Sequence, residues 1–151
     1  MLSKKAKYAL RALLFLAREH GRGPVLISDL AEREKIPKKF LELILLDLKH
    51  QGILQSKKGK GGGYFLWKAP QSIYLGHVIR TLDGHLAPLP CASQTAYARC
   101  EECKDERTCG IRLVMKEVRD ATARILDGTS LRGVLQKVER ISKAKKAAGK
   151  R

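Results

Sequence analysis

From Ser3 to His20 the chain is apolar on nearly every side of a helical wheel: Tyr8, Ala9, Leu10, Ala12, Leu13, Leu14, Phe15, Leu16 and Ala17. Such a segment belongs at the centre of a domain. Gly21, Gly23 and Pro24 end it. A second helix is predicted over Ser28–Lys35, with Ser28 as N-cap and Asp29 as a favourable first-turn acid. Ile36-Pro37 breaks it, because the residue before a proline resists the α region. Pro37 suits the first turn of a third helix. That helix carries Phe40, Leu41, Ile44, Leu45 and Leu48 at three- and four-residue spacing and stops at Gly52. Two short helices across a tight break, after a longer buried one, make a helix-turn-helix pattern.

The pattern then changes. Ile53–Ser56 and Tyr64–Trp67 are short strand-like runs around Lys57-Lys58-Gly59-Lys60-Gly61-Gly62-Gly63, which predicts a hairpin. A phosphate-binding loop needs Gly-Lys followed by Ser or Thr and a helix. Here Gly63 is followed by aromatic strand formers, so a β-wing beside the helix-turn-helix is the better account. Its glycines would let the tip approach a phosphate backbone. A helix over Leu75–Leu82 follows, then an irregular stretch over residues 83–108. A loop of that length in a small protein is functional or disordered. From Cys109 to Leu126 a long helix carries Ile111, Val114, Met115, Val118, Ala121, Thr122 and Ile125 in a near-heptad stripe. Ser130 caps a last helix to Ile141, and residues 142–151 read as a mobile basic tail. The fold expected is mostly α with a small β-hairpin wing: a winged helix-turn-helix domain over 1–70, and a linker helix, cysteine loop and dimerisation helices over 71–141.

Charge sharpens this division. The 151 residues carry a formal charge of +16. Residues 1–70 hold a net +9, residues 71–136 only +1, and residues 137–151 a net +6. A polyanionic partner is implied, nucleic acid first. In a helix-turn-helix the second helix offers its first residues to base edges in the major groove. Here these are Lys38, Lys39, Phe40 and Glu42. Lys can donate to guanine, Glu can accept from cytosine N4, and Phe can touch a thymine methyl. Phe40 also reads as a core residue, and the two lysines as a solvated helix start. Lys57, Lys58 and Lys60 of the wing would meet phosphates or a narrow minor groove. Lys4, Lys5 and Lys7 are further phosphate candidates.

Cys91, Cys100, Cys103 and Cys109 lie within nineteen residues, separated by eight, two and five others. One loop can therefore gather them. Thiolates select zinc or iron–sulfur clusters. Structural zinc usually takes two short-gap pairs, and only one gap here is two residues. That favours a cluster or redox chemistry over zinc, beside the plainer option of four reduced thiols holding nothing. No apolar run approaches the roughly 18 residues that span a bilayer. No secretory signal pattern precedes the first helix, so a cytoplasmic placement and no membrane partner are expected. Paired catalytic carboxylates and a Cys/His nucleophile pattern are both missing, and His20, His50, His77 and His85 are scattered, so an enzyme is not indicated. An adaptor using the fold for protein contacts is disfavoured by the lysine-rich wing.

These residues resemble the winged-helix regulators of the IscR/NsrR type, also called the Rrf-two family, over about residues 1–140. The carriers are Lys7-Tyr8-Ala9-Leu10, Phe40-Leu41-Glu42, Gly59-Lys60-Gly61-Gly62-Gly63-Tyr64, Ser72-Ile73, Gly76-His77-Val78-Ile79, the cysteine loop and Ser130-Leu131. The resemblance implies a bacterial, homodimeric transcription factor on double-stranded DNA, dimerised through the long helix. It also implies an iron–sulfur cluster, 2Fe-2S or 4Fe-4S, that tunes affinity for a roughly palindromic operator. Lys39, Phe40 and Glu42 match its reading residues, and Lys58 stands where the family often has a wing arginine. Cys91, Cys103 and Cys109 match the family's three cysteine ligands. The usual fourth ligands are absent: Lys7 replaces an N-terminal acid and Arg112 a histidine. Cys100 would then complete an all-cysteine site, ahead of His85. The alternative is the same fold sensing by cysteine oxidation or holding zinc.

Overall fold

Ser3 makes a local helix cap and a long-range contact at once. In the computed structural model, which describes residues 2–148, its hydroxyl accepts from the Ala6 N–H and caps α1 (Lys4–Arg18). The same hydroxyl donates to Asp83 at the end of α4 (Leu75–Asp83), and the Ser3 N–H donates to that carboxylate at 2.9 Å. Helix α1 is central because its residues are small or branched on several sides. Ala6, Ala9, Ala12, Leu13 and Leu16 are buried, and the alanines allow neighbours to approach closely.

Helices α2 (Ile27–Glu34) and α3 (Lys38–His50) pack on α1 through Leu30, Ile36, Leu41, Ile44, Leu45 and Leu48. The break between them is tight: Lys35 takes a left-handed conformation, φ 50°, and the Ile36 N–H returns to the Ala31 carbonyl. Two sequence expectations need correction. Ser28 is not the N-cap of α2; the helix starts one residue earlier with Leu26 at the cap position and no capping side chain. The reason is that Val25 exchanges both backbone hydrogen bonds with Tyr64, which fixes the chain just before it. Pro37 likewise sits at the cap of α3 and not in its first turn.

Strands β1 (Leu54–Lys57) and β2 (Gly63–Leu66) form an antiparallel hairpin with Leu54 opposite Leu66 and Lys57 opposite Gly63. Its glycines serve internal geometry. A Cβ on Gly62 would stand 2.3 Å from the Lys57 carbonyl oxygen, and one on Gly63 2.2 Å from that of Val25. Gly63 also holds φ 142°.

After a short 3-10 turn at Pro70–Ser72, α4 leads into the long loop, which contains a second such turn at Pro90–Ala92. Helix α5 (Gly110–Asp127) then packs on α4, with Arg80 gripping Asp127 through two hydrogen bonds of 2.6 and 2.8 Å. Helix α6 (Leu131–Ala148) returns to α1, burying Leu131 and Leu135 in the common core. It corrects the expected tail: residues 142–148 are helical, because Ser-Lys-Ala-Lys-Lys-Ala-Ala is built mostly from strong helix formers. The rest of that tail, 149–151, lies outside the described residues.

Substituting Gly63→Ala should destabilise the protein by about 2–4 kcal/mol, because rigid backbone blocks the new methyl and the torsion is strained. Gly110→Ala, facing open space at the start of α5, should change stability by under about 1 kcal/mol. Thermal melting of both variants checks the contrast; equal losses would contradict it.

Candidate nucleic-acid interface and cysteine loop

The first turn of α3 projects Lys38 and Lys39 into solvent, with Glu42 exposed one turn on. The unpaired N–H groups there add a positive end to the helix. Phe40 is half-buried, its ring edge-on to Tyr8 of α1 at 5.8 Å, with the Arg11 guanidinium 5.9 Å above Tyr8. The brace continues along the helices. Lys5 pairs with Asp47 at 2.6 Å and Arg11 with Glu34 at 3.3 Å. Lys5 is therefore engaged within the protein, although the sequence suggested a phosphate contact. With Asp47 paired, Glu42 is the acid that α3 presents without an ion pair among the described residues.

The wing is tied to the same body. Lys49 near the end of α3 donates to the Ser56 hydroxyl of β1 at 2.6 Å. Lys57, Lys58 and Lys60 are all exposed around the tip. The structure thus sets α3 and the lysine-bearing hairpin on one rigid frame, with cations on both. Leu43 and Leu46, on the outer side of α3, are exposed as well. Sequence reading passed over them; their offset from the buried Leu41, Ile44, Leu45 and Leu48 was the available signal.

The cysteines converge less completely. Cys109 is the residue before α5, and Cys103 stands beside it. Partial burial, then the neighbouring Cys109 thiol, holds the Cys103 thiol above its ordinary value. Cys100 is exposed and also close enough to act on Cys103. Cys91 is buried in the 3-10 turn, and its backbone is what meets α5: Arg112 donates to the Cys91 carbonyl at 2.9 Å. Arg112 also donates to the Glu106 carbonyl at 3.4 Å, so one guanidinium joins both limbs of the loop. Two turns on, buried Arg119 donates to the Ala92 carbonyl and pairs with Asp120 at 2.6 Å. No three His, Cys, Asp or Glu side chains among the described residues are grouped tightly enough to hold a metal ion. The donors suit a thiophilic group in kind, while this arrangement pairs only Cys103 with Cys109 closely. His85 is used elsewhere, its Nδ1 3.1 Å from the Ala87 carbonyl oxygen.

Helix α5 presents Ile111 and Ile125, 69% and 65% exposed, with Leu113, Val114 and Val118 also in solvent. Beside it lies a groove of about 750 Å³ lined by Leu10, Leu75, Ile79, Leu86 and Leu126. No described helix is long and apolar enough to cross a membrane.

The model of the Rrf2 family, described as an iron-dependent transcriptional regulator, matches residues 2–137. The chain belongs to the Rrf2 family. This winged helix-turn-helix protein is 44% identical over 138 residues to the rrf2-like HTH-type transcriptional regulator of Rhodobacter capsulatus, covering 89% of this chain and 92% of that one. It is 31% identical over 130 residues to the HTH-type transcriptional regulator CymR of Bacillus subtilis, with 86% of each covered. The solved structure of B. subtilis CymR, described as a global cysteine regulator, superposes with a TM-score of 0.76 at 28% identity, covering 91% of this chain and 97% of that one. T. potens IscR does so at 0.74 and 26% identity, covering 93% and 90%. Like its relatives, this Rrf2-family chain is a DNA-binding transcriptional regulator and not an enzyme.

The loop anchorage has a direct readout. Brief alkylation of the native reduced protein should label Cys100 first and Cys91 last, with rates differing on the order of tenfold. Arg119→Met should bring Cys91 labelling forward. Mass spectrometry of the labelled peptides checks this, and equal labelling of all four cysteines would contradict it.

Proposed function

We propose that the protein is a homodimeric repressor or activator whose affinity for a roughly palindromic operator is set by its cysteine loop. The observation that carries this reading is the double grip of Arg112 and Arg119 on the loop backbone. A change of ligation or charge among the cysteines reaches α5 through those two side chains and through Cys109, the residue before the helix. Helix α5 is the natural transmitter, because its apolar stripe faces solvent in the single chain and a second copy would cover it. Coupling requires only that two arrangements of loop and helix differ in stability between sensor states.

In the first form of this reading Cys91, Cys100, Cys103 and Cys109 would hold an iron–sulfur cluster, which requires the loop to draw Cys91 and Cys100 toward the Cys103–Cys109 pair. Such a group, when bound, supplies sensitivity of charge and ligation to oxidants and nitric oxide. The chain's part is to supply soft thiolates and, through Arg112, to hold the loop limbs near α5. The second form is thiol oxidation, favoured by the placement of Cys103 beside Cys109. There the two thiols lose two protons and two electrons to hydrogen peroxide, which is reduced to two waters, and a disulfide forms. Zinc in place of a cluster belongs with this second form.

On the DNA side, Lys38, Lys39, Phe40 and Glu42 face the major groove, and Lys57, Lys58 and Lys60 meet phosphates or the minor groove. Half-sites lie one helical turn or more apart, as the two-fold axis requires.

Anaerobic purification with iron and sulfide assay and a visible spectrum separates the two forms. The cluster form expects iron, sulfide and colour; a colourless protein with zinc or no metal, and no reconstitution, contradicts it. Lys58→Ala should weaken binding to all sequences and flatten the slope of log affinity against log salt by about 1 per subunit. Glu42→Ala should instead relax base preference at one operator position. Binding titrations at several salt concentrations check both, and identical effects of the two variants would contradict these roles.

A further inference from the structure

Helix α3 carries two apolar side chains that its packing does not use. Leu41, Ile44, Leu45 and Leu48 fill the core, and Phe40 leans on Tyr8. Leu43 and Leu46 point the other way, 60% and 44% exposed. They share the outer face of the helix with Lys39, three and four residues apart along one stripe. We infer that Leu43 and Leu46 are sequence-determining residues that read the methyl groups of two neighbouring thymines in the major groove. This rests on the operator-binding reading above.

The charge around the pair chooses the occupant. Lys38 and Lys39 precede it, and Lys57, Lys58 and Lys60 stand exposed on the hairpin that Lys49 ties to α3. A second copy of this face would set those cations against their own kind, whereas DNA neutralises them. The apolar stripe of α5 lies on a different helix and suits the second copy.

The chemistry of the groove matches two leucines. Among the four bases thymine alone presents a methyl group there, and an apolar side chain recognises it by contact. Residues three apart on a helix are about 4.5 Å apart along its axis. The base step is about 3.4 Å, so a helix tilted in the groove brings them to consecutive pairs. Phe40, which the sequence suggested for this contact, is partly occupied by Tyr8.

The test uses the full chain and a duplex enriched by the wild-type protein from a random pool. Each thymine is replaced singly by uracil, which lacks only the methyl. Wild-type affinity should fall about fourfold at each of two neighbouring positions in each half-site, the effect of withdrawing one methyl-sized apolar contact. Leu43→Ala should abolish discrimination at one of the pair and Leu46→Ala at the other. Melting temperatures near that of the wild type would show that both variants fold. Indifference of the wild type to uracil at every position overturns the inference, as does full discrimination by both variants. A pool from which no sequence is enriched overturns the operator-binding reading itself.

Discussion

Only one residue of the eighteen-residue α5 is buried, and it is Arg119. A guanidinium taken out of water must find acceptors, and this one finds the Ala92 carbonyl and the Asp120 carboxylate. That requirement fixes the 3-10 turn carrying Cys91 against the middle of the helix. Arg112 repeats the contact one heptad earlier, at the Cys91 carbonyl. These two side chains hold the Cys91 turn against α5, while Arg80 and Asp127 fix the far end of the helix on α4. An apolar residue at 119 would bury as well but would leave the turn free to drift.

The other end of the molecule is held by a different kind of force. Helix α1 supplies the hydrophobic centre on which α2, α3, α4 and α6 pack, and cations on its outer side brace the reading helices through Asp47 and Glu34. The exposed pair Lys5–Asp47 contributes little stability, under about 1 kcal/mol, while Arg11 and Glu34 are partly buried and Arg11 also donates to the Glu34 carbonyl. The effect of the two pairs is to neutralise Asp47 on α3 and Glu34 at the end of α2. Between the two ends, Arg80 with Asp127 and Ser3 with Asp83 link α4 to α5 and α1. A movement of α5 therefore has a short mechanical route to the reading head. The Arg80 carboxylate partner is held below its ordinary value by that hydrogen bond, so the link persists at neutral pH and is lost only in acid.

Much of this was legible in the residues because it rests on periodicity. The all-round apolarity of residues 8–17, the three-four spacing in α3, the aromatic run after Gly63 and the heptad-like stripe of α5 all reappear as elements within a residue or two. What escaped depends on partners distant in sequence. Ser28 looks like a cap until Val25 pairs with Tyr64. Residues 142–148 look like a tail because they lack an apolar face, yet helix propensity carries them on from the anchored Leu131 and Leu135. Phe40 reads from sequence both as a base contact and as a core residue, and its half-burial against Tyr8 depends on a partner 32 positions away. The four cysteines were countable, but their unequal burial depends on which carbonyls the α5 arginines seize.

On the function proposed above, the state of the cysteine loop sets operator affinity. The most direct measurement is fluorescence-anisotropy titration of one enriched operator duplex at fixed salt, using the protein purified anaerobically and the same protein after oxidation. The two dissociation constants should differ by about 5- to 150-fold, a difference that Cys103→Ser abolishes. Equal constants in the two states would contradict it.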